Sequence, residues 1–438
     1  MILINLLESQ IIKGTLNLYL PDGTHRQIGS GLPVAEWHIK NQDVLRRISK
    51  DPEFELGETY MEGGWHCGDG DLQTLLQVLM TNIGQQKPKG LQRVFAALIN
   101  LLQRGNRIYR SYQNVAHHYD LDEWLFRLFL DEGMFYSCAY FEYPGQSLED
   151  AQQAKCELLK KKLLLRSGQR VLDIGSGWGG LAFYLAEHAD VEVIGLTLSK
   201  EQLRVAQHQA RVRGLDSQVR FYLEDYRQHS GNYDRIVSVG MFEHVGKRHF
   251  MEFFRTVENL LHDDGVMALH TIGCTDTSAE TNPWIKRHIF PGGYIPALSE
   301  MSQCVEKTNL FSTDIEILRL HYADTLAEWL RRFRHHRDEV EARMGKTFYR
   351  MWEFYLAGTE ATFRWWDLVV FHQQMARQHG IVPVTRDYLQ QSESRFDTAT
   401  TSLEQMPSSA VLTRQTPPLT TATASANTVK MQGRTLPD

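Results

Sequence analysis

The sequence predicts an α/β protein, in which a doubly wound, mainly parallel sheet follows a small α+β module. From about residue 110, short apolar strands alternate with helical patterns, an order typical of a parallel sheet with helices on both faces. One of these strands, 170–174, leads directly into a glycine-rich turn and a helix. Before residue 110 the pattern is that of a β-hairpin followed by an amphipathic helix.

The N-terminal module begins with the predicted hairpin. Apolar and polar side chains alternate over 15–20, the turn residues are at 21–23, and a second strand starts at His25. A helical pattern follows at 71–80, and the polar, proline-containing stretch 85–90 predicts a break between helices.

The second part of the chain contains five apolar runs that predict strands, at 170–174, 191–198, 219–223, 234–239 and 265–272. A long helical stretch rich in aromatic residues follows Tyr322. Beyond about residue 402, Thr, Ser, Ala and Pro dominate and large apolar residues are few. This composition predicts a disordered tail.

Composition and charge exclude some classes of function. A chain of 438 residues with 42% hydrophobic content can bury a large core and form more than one domain. The formal net charge of -6 excludes the broad basic field of a nucleic-acid-binding protein. We therefore expect no nucleic-acid partner.

Cysteine spacing and hydropathy indicate the compartment. The five cysteines are scattered and never form a C-x-x-C pair, so neither a disulfide framework nor a zinc site is predicted, and a reducing cytoplasm is expected. The apolar run at 2–7 has no basic residues before it and is too short for a signal-peptide core. No stretch approaches the ~20 apolar residues that span a bilayer.

The turn after the first predicted strand of the parallel sheet is a candidate cofactor site. Gly175, Gly177 and Gly180 stand between the strand and the following helix, where glycines let a ligand approach the backbone at a helix N-terminus. The spacing fits the G-x-G-x-x-G of dinucleotide-binding enzymes. It also fits the fingerprint of S-adenosylmethionine enzymes, so the loop alone leaves two cofactors open.

The end of the second strand favours S-adenosylmethionine. A dinucleotide site needs an acidic residue about 20 positions after the glycines to bind the ribose, but 195–199 contains no carboxylate. Asp173 before the loop completes a D-x-G-x-G-x-G pattern that resembles the S-adenosylmethionine fingerprint. Thr197 and Gln202 would take the polar roles near the sugar. Ser199 and Gln202 also fit a capping box for the next helix, and we expect both interpretations to hold.

Five stretches, in this order and spacing, closely resemble cyclopropane-fatty-acyl-phospholipid synthases; they are YSCAYF at 136–141, GLTLS at 195–199, GMFEHVG at 240–246, LHTIG at 269–273 and FPGGYIP at 290–296. The resemblance extends over about residues 50–385. It implies a seven-stranded sheet of the class I methyltransferase type. It also implies a lipid-interacting domain at 1–105 and a catalytic domain at 106–395, and the disordered tail predicted from composition is then 396–438.

The resemblance implies the reaction as well. A methylene unit from S-adenosylmethionine would be added to the cis double bond of unsaturated phospholipid acyl chains, with bound bicarbonate as the base and no metal. The enzyme would be cytoplasmic, would work at the inner face of the cell membrane as a peripheral protein, and would form a homodimer.

Site residues follow from the same resemblance, position by position. Bicarbonate would be held by the backbone of Cys138 and Ile272 and by the side chains of Glu243, His270 and Tyr322. The positions that would bind S-adenosylmethionine are Tyr136, Ser137, Gly175, Gly177, Thr197, Leu198 and Gln202.

The chemistry explains why such groups are needed. An isolated alkene is a weak nucleophile, so the donor must be a sulfonium held in line with the double bond. Attack produces a carbocation, and ring closure requires removal of a proton from the added methyl group before water captures the cation. A base and a dry pocket are therefore both required.

Other interpretations remain open at this point. The same cofactor and substrate could give methyl- or methylene-branched chains, and a small-molecule N-methyltransferase or a non-catalytic binding protein shares part of the pattern. His270 on its own would be read as an ordinary core histidine, and His244 is expected to be structural. Two basic stretches, 160–166 and 331–337, fit either lipid headgroups or solvated helix faces.

Overall fold

The computed structural model describes residues 2–83, 123–275 and 281–390. The predicted helix break at 85–90, the boundary between 105 and 106 and the tail at 396–438 lie outside these ranges, and those predictions stay untested. Among the described residues no helix is both long and apolar enough to cross a membrane.

The N-terminal module is a small four-stranded sheet with helices, and its elements are α1 (Ile2–Gln10), β1 (Gly14–Tyr19), β2 (His25–Ser30), β3 (Val34–Ile39), α2 (Gln42–Lys50), α3 (Pro52–Met61), β4 (Trp65–His66) and α4 (Leu72–Ile83). The strand order is β2-β1-β3-β4. The predicted hairpin is present, with Tyr19 paired to His25 across its turn. Asn41 and Asp51 accept hydrogen bonds from the first turns of α2 and α3, which fixes where these helices begin.

The large sheet has seven strands, which are β5 (Arg170–Ile174), β6 (Glu192–Thr197), β7 (Val219–Leu223), β8 (Tyr233–Val239), β9 (Leu261–Cys274), β10 (Phe311–Leu318) and β11 (Leu368–Ala376). The order is β10-β11-β9-β8-β5-β6-β7. All five predicted strands are present and pair in parallel. Sequence reasoning missed β10 and β11; β11 runs antiparallel to both of its neighbours. The predicted fold class is confirmed.

Helices cover the faces of this sheet, and those that the structure describes are α5 (Glu123–Arg127), α6 (Leu148–Lys162), α7 (Gly180–Ala189), α8 (Lys200–Val212), α9 (Phe250–Leu260), α10 (Pro283–His288), α11 (Leu298–Val305), α12 (His321–His335), α13 (Arg337–Met344) and α14 (Lys346–Trp365). The last three form the predicted aromatic-rich helical stretch. Strand order reverses at β5, whose neighbours are β6 and β8. In open α/β sheets the ligand crevice lies at such a point, beyond the carboxyl ends of the strands.

The two basic stretches are largely occupied by ion pairs within the chain. Lys162 is 1% exposed and its ammonium lies 2.7 Å from Glu316. Arg332 forms a two-pronged pair with Glu149 at 2.8 and 2.9 Å. These contacts favour the structural interpretation of both stretches over binding to lipid headgroups.

Helix α14 joins the N-terminal module to the part of the chain that forms the large sheet. Tyr60 on α3 donates a 2.7 Å hydrogen bond to Glu353 on α14. One turn earlier in α3, Gly57 lies against the fully buried ring of Trp284. The absence of a side chain at position 57 therefore allows helix and ring to approach closely.

Substitution of Gly57 by alanine should lower the free energy of unfolding. The added Cβ would lie 2.7–2.8 Å from the Trp284 ring, and overpacking of this kind costs typically about 1–3 kcal/mol. Gly358→Ala on α14 is the matched control, because its Cβ would meet nothing within 4 Å. That change should instead stabilise by up to about 1 kcal/mol through helix propensity. Urea denaturation gives both values, and shifts of equal sign would contradict the packing described.

Candidate active site

A cleft lies at the carboxyl ends of four neighbouring parallel strands of the large sheet. Its walls are the segments that follow β5, β6, β7 and β8, together with the segment before α6; they comprise 134–137, 173–178, 196–198, 224–227, 239–241 and 244–245. The cleft contains about 1210 Å³ of empty space, its solvent-open mouth included.

All seven predicted cofactor residues line this cleft; they are Tyr136, Ser137, Gly175, Gly177, Thr197, Leu198 and Gln202. They come from three separate parts of the chain. The parallel order of β5 and β6 places two of these parts side by side, and the third reaches the cleft from the loop that precedes α6.

The glycine turn has a conformation that side chains disfavour. Gly175 has a φ of +88°, and its N–H donates to the carbonyl of Leu196 at 3.0 Å. A Cβ at this position would lie 2.7 Å from the Cβ of Met241 on the opposite wall. Glycine is therefore required both by the turn and by the width of the cleft.

The polar residues after β6 form a small hydrogen-bonded group. Ser199 caps α8 by accepting a hydrogen bond from the backbone N–H of Gln202 at 3.2 Å. The Thr197 hydroxyl accepts from the Ser199 N–H at 3.2 Å and donates to the side-chain amide oxygen of Gln202 at 2.8 Å. Of the predicted capping box, the Ser199 cap is therefore present, whereas the place of the Gln202 side chain at the Ser199 N–H is taken by Thr197.

Lys155 is a cleft residue that sequence reasoning missed. Its fully buried ammonium donates to Gln152 at 2.7 Å and to the Ser137 hydroxyl at 3.1 Å, and lies 3.9 Å from the centre of the Phe135 ring. It thereby ties α6 to the loop at 135–137. The available signal was helical spacing, since the neighbours at i−4, i+3 and i+4 are all apolar.

Burial also changes the ionisation of carboxyl and imidazole groups along the cleft. Desolvation raises the pKa of Asp173 to about 7, an effect that the positive charge of Lys155 opposes. Burial lowers the pKa of His244 to about 4, so its imidazole is neutral at physiological pH. His244 lines the cleft although we expected it to be purely structural.

Glu243 and Ile272 are in direct contact next to the cleft. Glu243 lies in the short turn after β8, and its Oε1 accepts a hydrogen bond from the Ile272 N–H at 2.5 Å. The other oxygen, Oε2, is buried and has no hydrogen-bond partner among the described residues. Desolvation raises the pKa of this carboxyl group to about 7. Burying a polar atom without a hydrogen-bond partner destabilises the folded protein, so this oxygen indicates that a polar ligand binds here.

His270 lies on β9 beside the end of β8, where it is in register with Val239. Its Nδ1 is 2.7 Å from Nε2 of His372 on β11, and both rings are 1% exposed. Burial, together with the positive charges of Lys155 and Lys162, lowers the pKa of each imidazole well below its ordinary value. His372 was missed because its strand was missed.

Tyr322 and Cys138 are connected through α12. The Ala139 N–H donates to the Thr325 hydroxyl at 3.0 Å, one helical turn from Tyr322. The Tyr322 ring packs against Phe363 and Trp329, and Trp329 in turn stacks on Tyr136 of the cleft.

The Cys138 thiol is an unsuitable nucleophile. It is fully buried, and its S–H donates to the carbonyl of Ala139 at 3.2 Å. Burial raises the pKa of this thiol well above its usual range, so the reactive thiolate is not formed at physiological pH. Only its backbone remains a candidate for binding.

Beside the cleft, Glu243, Ile272 and His270 bring together one buried carboxyl group, a backbone N–H and a buried imidazole. Among residues 2–83, 123–275 and 281–390, no three His, Cys, Asp or Glu side chains are placed to hold a metal ion. The cleft and the group formed by Glu243, Ile272 and His270 are adjacent along β8 and β9.

Comparison with known proteins gives consistent results. Residues 106–373 match the family described as mycolic acid cyclopropane synthetase. The cyclopropane-fatty-acyl-phospholipid synthase of Escherichia coli K12 is 38% identical over 351 residues, 80% of this chain and 89% of that protein. A tuberculostearic acid methyltransferase of Mycobacterium tuberculosis is 35% identical over 83% of this chain and 88% of that protein. The crystal structure of mycolic acid cyclopropane synthase CmaA1 complexed with SAH and CTAB has a TM-score of 0.57 and 34% identity, covering 60% of this chain and 97% of that one.

Proposed function

The chain belongs to the mycolic acid cyclopropane synthetase family and is an S-adenosylmethionine-dependent methyltransferase of the cyclopropane synthase type; on that premise we propose that it forms cyclopropane rings at the cis double bonds of phospholipid acyl chains. The observation that carries this proposal is the buried carboxyl group of Glu243. It is held by Ile272, has an unpartnered oxygen and lies next to the cofactor cleft.

We propose that the cleft residues bind the cofactor in three ways. Gly175 and Gly177 allow it to approach the backbone after β5. Thr197, Leu198 and Gln202 contact it at the end of β6. Tyr136 and Ser137 close over it from the loop that Lys155 holds in place. When bound, S-adenosylmethionine supplies the electrophilic methyl group.

We propose that a second group of residues binds a small polar anion, bicarbonate. Glu243, His270 and Tyr322 would hold it by their side chains, and Cys138 and Ile272 by backbone groups. Because the Ile272 N–H already donates to Oε1 of Glu243, the unpartnered Oε2 of the same carboxyl group is the acceptor left for the anion's own hydroxyl. When bound, bicarbonate supplies a base for the proton that is lost from the added methyl group.

Aromatic rings around Tyr322 would protect the carbocation. Tyr136, Trp329, Tyr322 and Phe363 form a continuous series of ring contacts, with centroids 4.8–5.8 Å apart. Their faces can stabilise a nearby cation, and their packing excludes the water that would capture it.

The wider assignment is part of the same proposal. The substrate would be an acyl chain of a phospholipid at a membrane surface, with the enzyme at the inner face of the cell membrane and residues 1–105 engaging the lipid. The catalytic domain would be 106–395 and the enzyme a homodimer. The name of the Escherichia coli relative supports the substrate class.

Incubation with methyl-labelled S-adenosylmethionine and liposomes of cis-monounsaturated phospholipid tests the function. We expect NMR of the extracted lipid to give cyclopropane ring protons. Labelled methyl or methylene branches would instead support the second candidate, which the similarity to a tuberculostearic acid methyltransferase favours. The absence of label in any lipid would overturn the proposal.

Activity should depend on bicarbonate. In carefully degassed, bicarbonate-depleted buffer we expect turnover to fall several-fold, because a positioned base contributes roughly 10²–10⁴ to rate and traces of the anion persist. Added bicarbonate should restore it, whereas added chloride at equal ionic strength should not. An unchanged rate would remove the anion from the mechanism.

A further inference from the structure

The buried hydrogen bond between His270 and His372 has no role in the reaction proposed above. His270 and His372 face each other across the antiparallel pairing of β9 and β11, where they are directly opposite in register. Their rings share one short hydrogen bond, between Nδ1 of His270 and Nε2 of His372. Since both rings are neutral at physiological pH, one nitrogen donates and the other accepts.

The remaining nitrogen of His372 decides the direction of this bond. Its Nδ1 is buried and has no hydrogen-bond partner among the described residues. If His372 were the acceptor at Nε2, its proton would be on Nδ1 and a buried N–H would have no partner. Among buried backbone groups, unpaired N–H donors are rarer than under-satisfied carbonyl acceptors, and by the same reasoning the arrangement favours a bare lone pair at Nδ1.

Intrinsic tautomer preference gives the same answer. With His372 as the donor, both rings carry their proton on Nε2, which is the preferred tautomer of neutral histidine. With the bond reversed, both rings would carry it on Nδ1, the less favoured tautomer. Two independent considerations therefore assign the proton to Nε2 of His372.

We propose that His372 is a positioning residue that donates to His270 and holds it in the Nε2–H tautomer. His270 then acts as a hydrogen-bond donor towards the reaction site and cannot itself remove a proton. This role rests on the proposed function, because it gives His270 the task of binding the anion while a separate base is required. The tautomer itself can be measured without turnover.

NMR of the full-length protein tests the assignment directly. With ¹⁵N-labelled histidine, long-range ¹H–¹⁵N spectra distinguish protonated from bare imidazole nitrogens, and a His270→Gln variant identifies the signals of that ring. We expect Nε2 of His270 to be protonated and Nδ1 bare. A protonated Nδ1 on His270 would overturn the inference, whether or not the enzyme makes cyclopropane rings.

Two substitutions of His372 separate donation from packing. Glutamine presents an amide N–H near the position of Nε2 and should keep both the tautomer and the turnover. Leucine fills the space without a donor, so we expect the fixed tautomer to be lost. We also expect kcat to fall about 10- to 100-fold, the range found when residues that orient a functional histidine are removed, with cofactor affinity unchanged. Equal behaviour of the two variants would show that His372 only packs.

Discussion

Glu243→Gln is expected to bind the cofactor normally and to lose about 100-fold or more of kcat, within the range for loss of a positioned acid–base group. The substitution preserves shape, and the amide oxygen can still accept from the Ile272 N–H at the position of Oε1. What changes is the buried, unpartnered Oε2, which becomes an NH₂ donor. The substitution thus removes the acceptor that we assign to the anion's hydroxyl.

Steady-state turnover and calorimetric titration with S-adenosylhomocysteine would measure the two quantities separately. Glu258→Gln is the matched control. Glu258 is on α9 and does not line the cleft, and its carboxylate accepts a hydrogen bond from the Asn309 N–H at 3.1 Å. It should leave both quantities unchanged. Near-normal turnover of Glu243→Gln would exclude Glu243 from the mechanism.

Gly175→Ala should weaken cofactor binding about 10- to 100-fold, which corresponds to roughly 1.4–2.7 kcal/mol of binding free energy. A side chain at a φ of +88° costs about 1–2 kcal/mol in backbone conformation. Its Cβ would also lie 2.7 Å from that of Met241, so one wall of the cleft must shift.

Gly214→Ala separates these two effects. Gly214 has a φ of +69° in the loop after α8, and a Cβ there would meet nothing within 4 Å. Its stability should fall by a similar conformational amount while cofactor affinity stays at the wild-type value. Equal cofactor affinity in the two alanine variants would mean that the glycine turn does not bind the cofactor.

The parts of the fold that follow local rules could be predicted from the sequence. The strand at 170–174 and its glycine turn need only apolar character followed by residues that tolerate positive φ, and both are present. The strand β11, which was missed, has a weaker local signal. Its apolar run covers only 368–371, and the polar residues that follow, His372, Gln373 and Gln374, are all buried, so neither a longer apolar run nor an alternating pattern marks the strand.

The candidate site shows the same division. Its glycines and the Thr197 region could be named from spacing and resemblance. The contact between Glu243 and Ile272 depends on the parallel pairing of β8 with β9, and the contact between His270 and His372 joins residues 102 positions apart. Lys155 was missed because an ammonium group is normally solvated, although its apolar neighbours along α6 placed it on the buried side.

Helix α14 limits how the enzyme can be shortened for experiment. Phe354 packs between Tyr60 and Trp65 of the N-terminal module, while Tyr355, the next residue, hydrogen-bonds Tyr136 of the cofactor cleft at 2.8 Å. A truncated protein that starts near residue 123 would therefore expose a large apolar surface to water and be prone to self-association. The same helix, whose Tyr355 supports the cleft, would lose its contacts with α3 and α4.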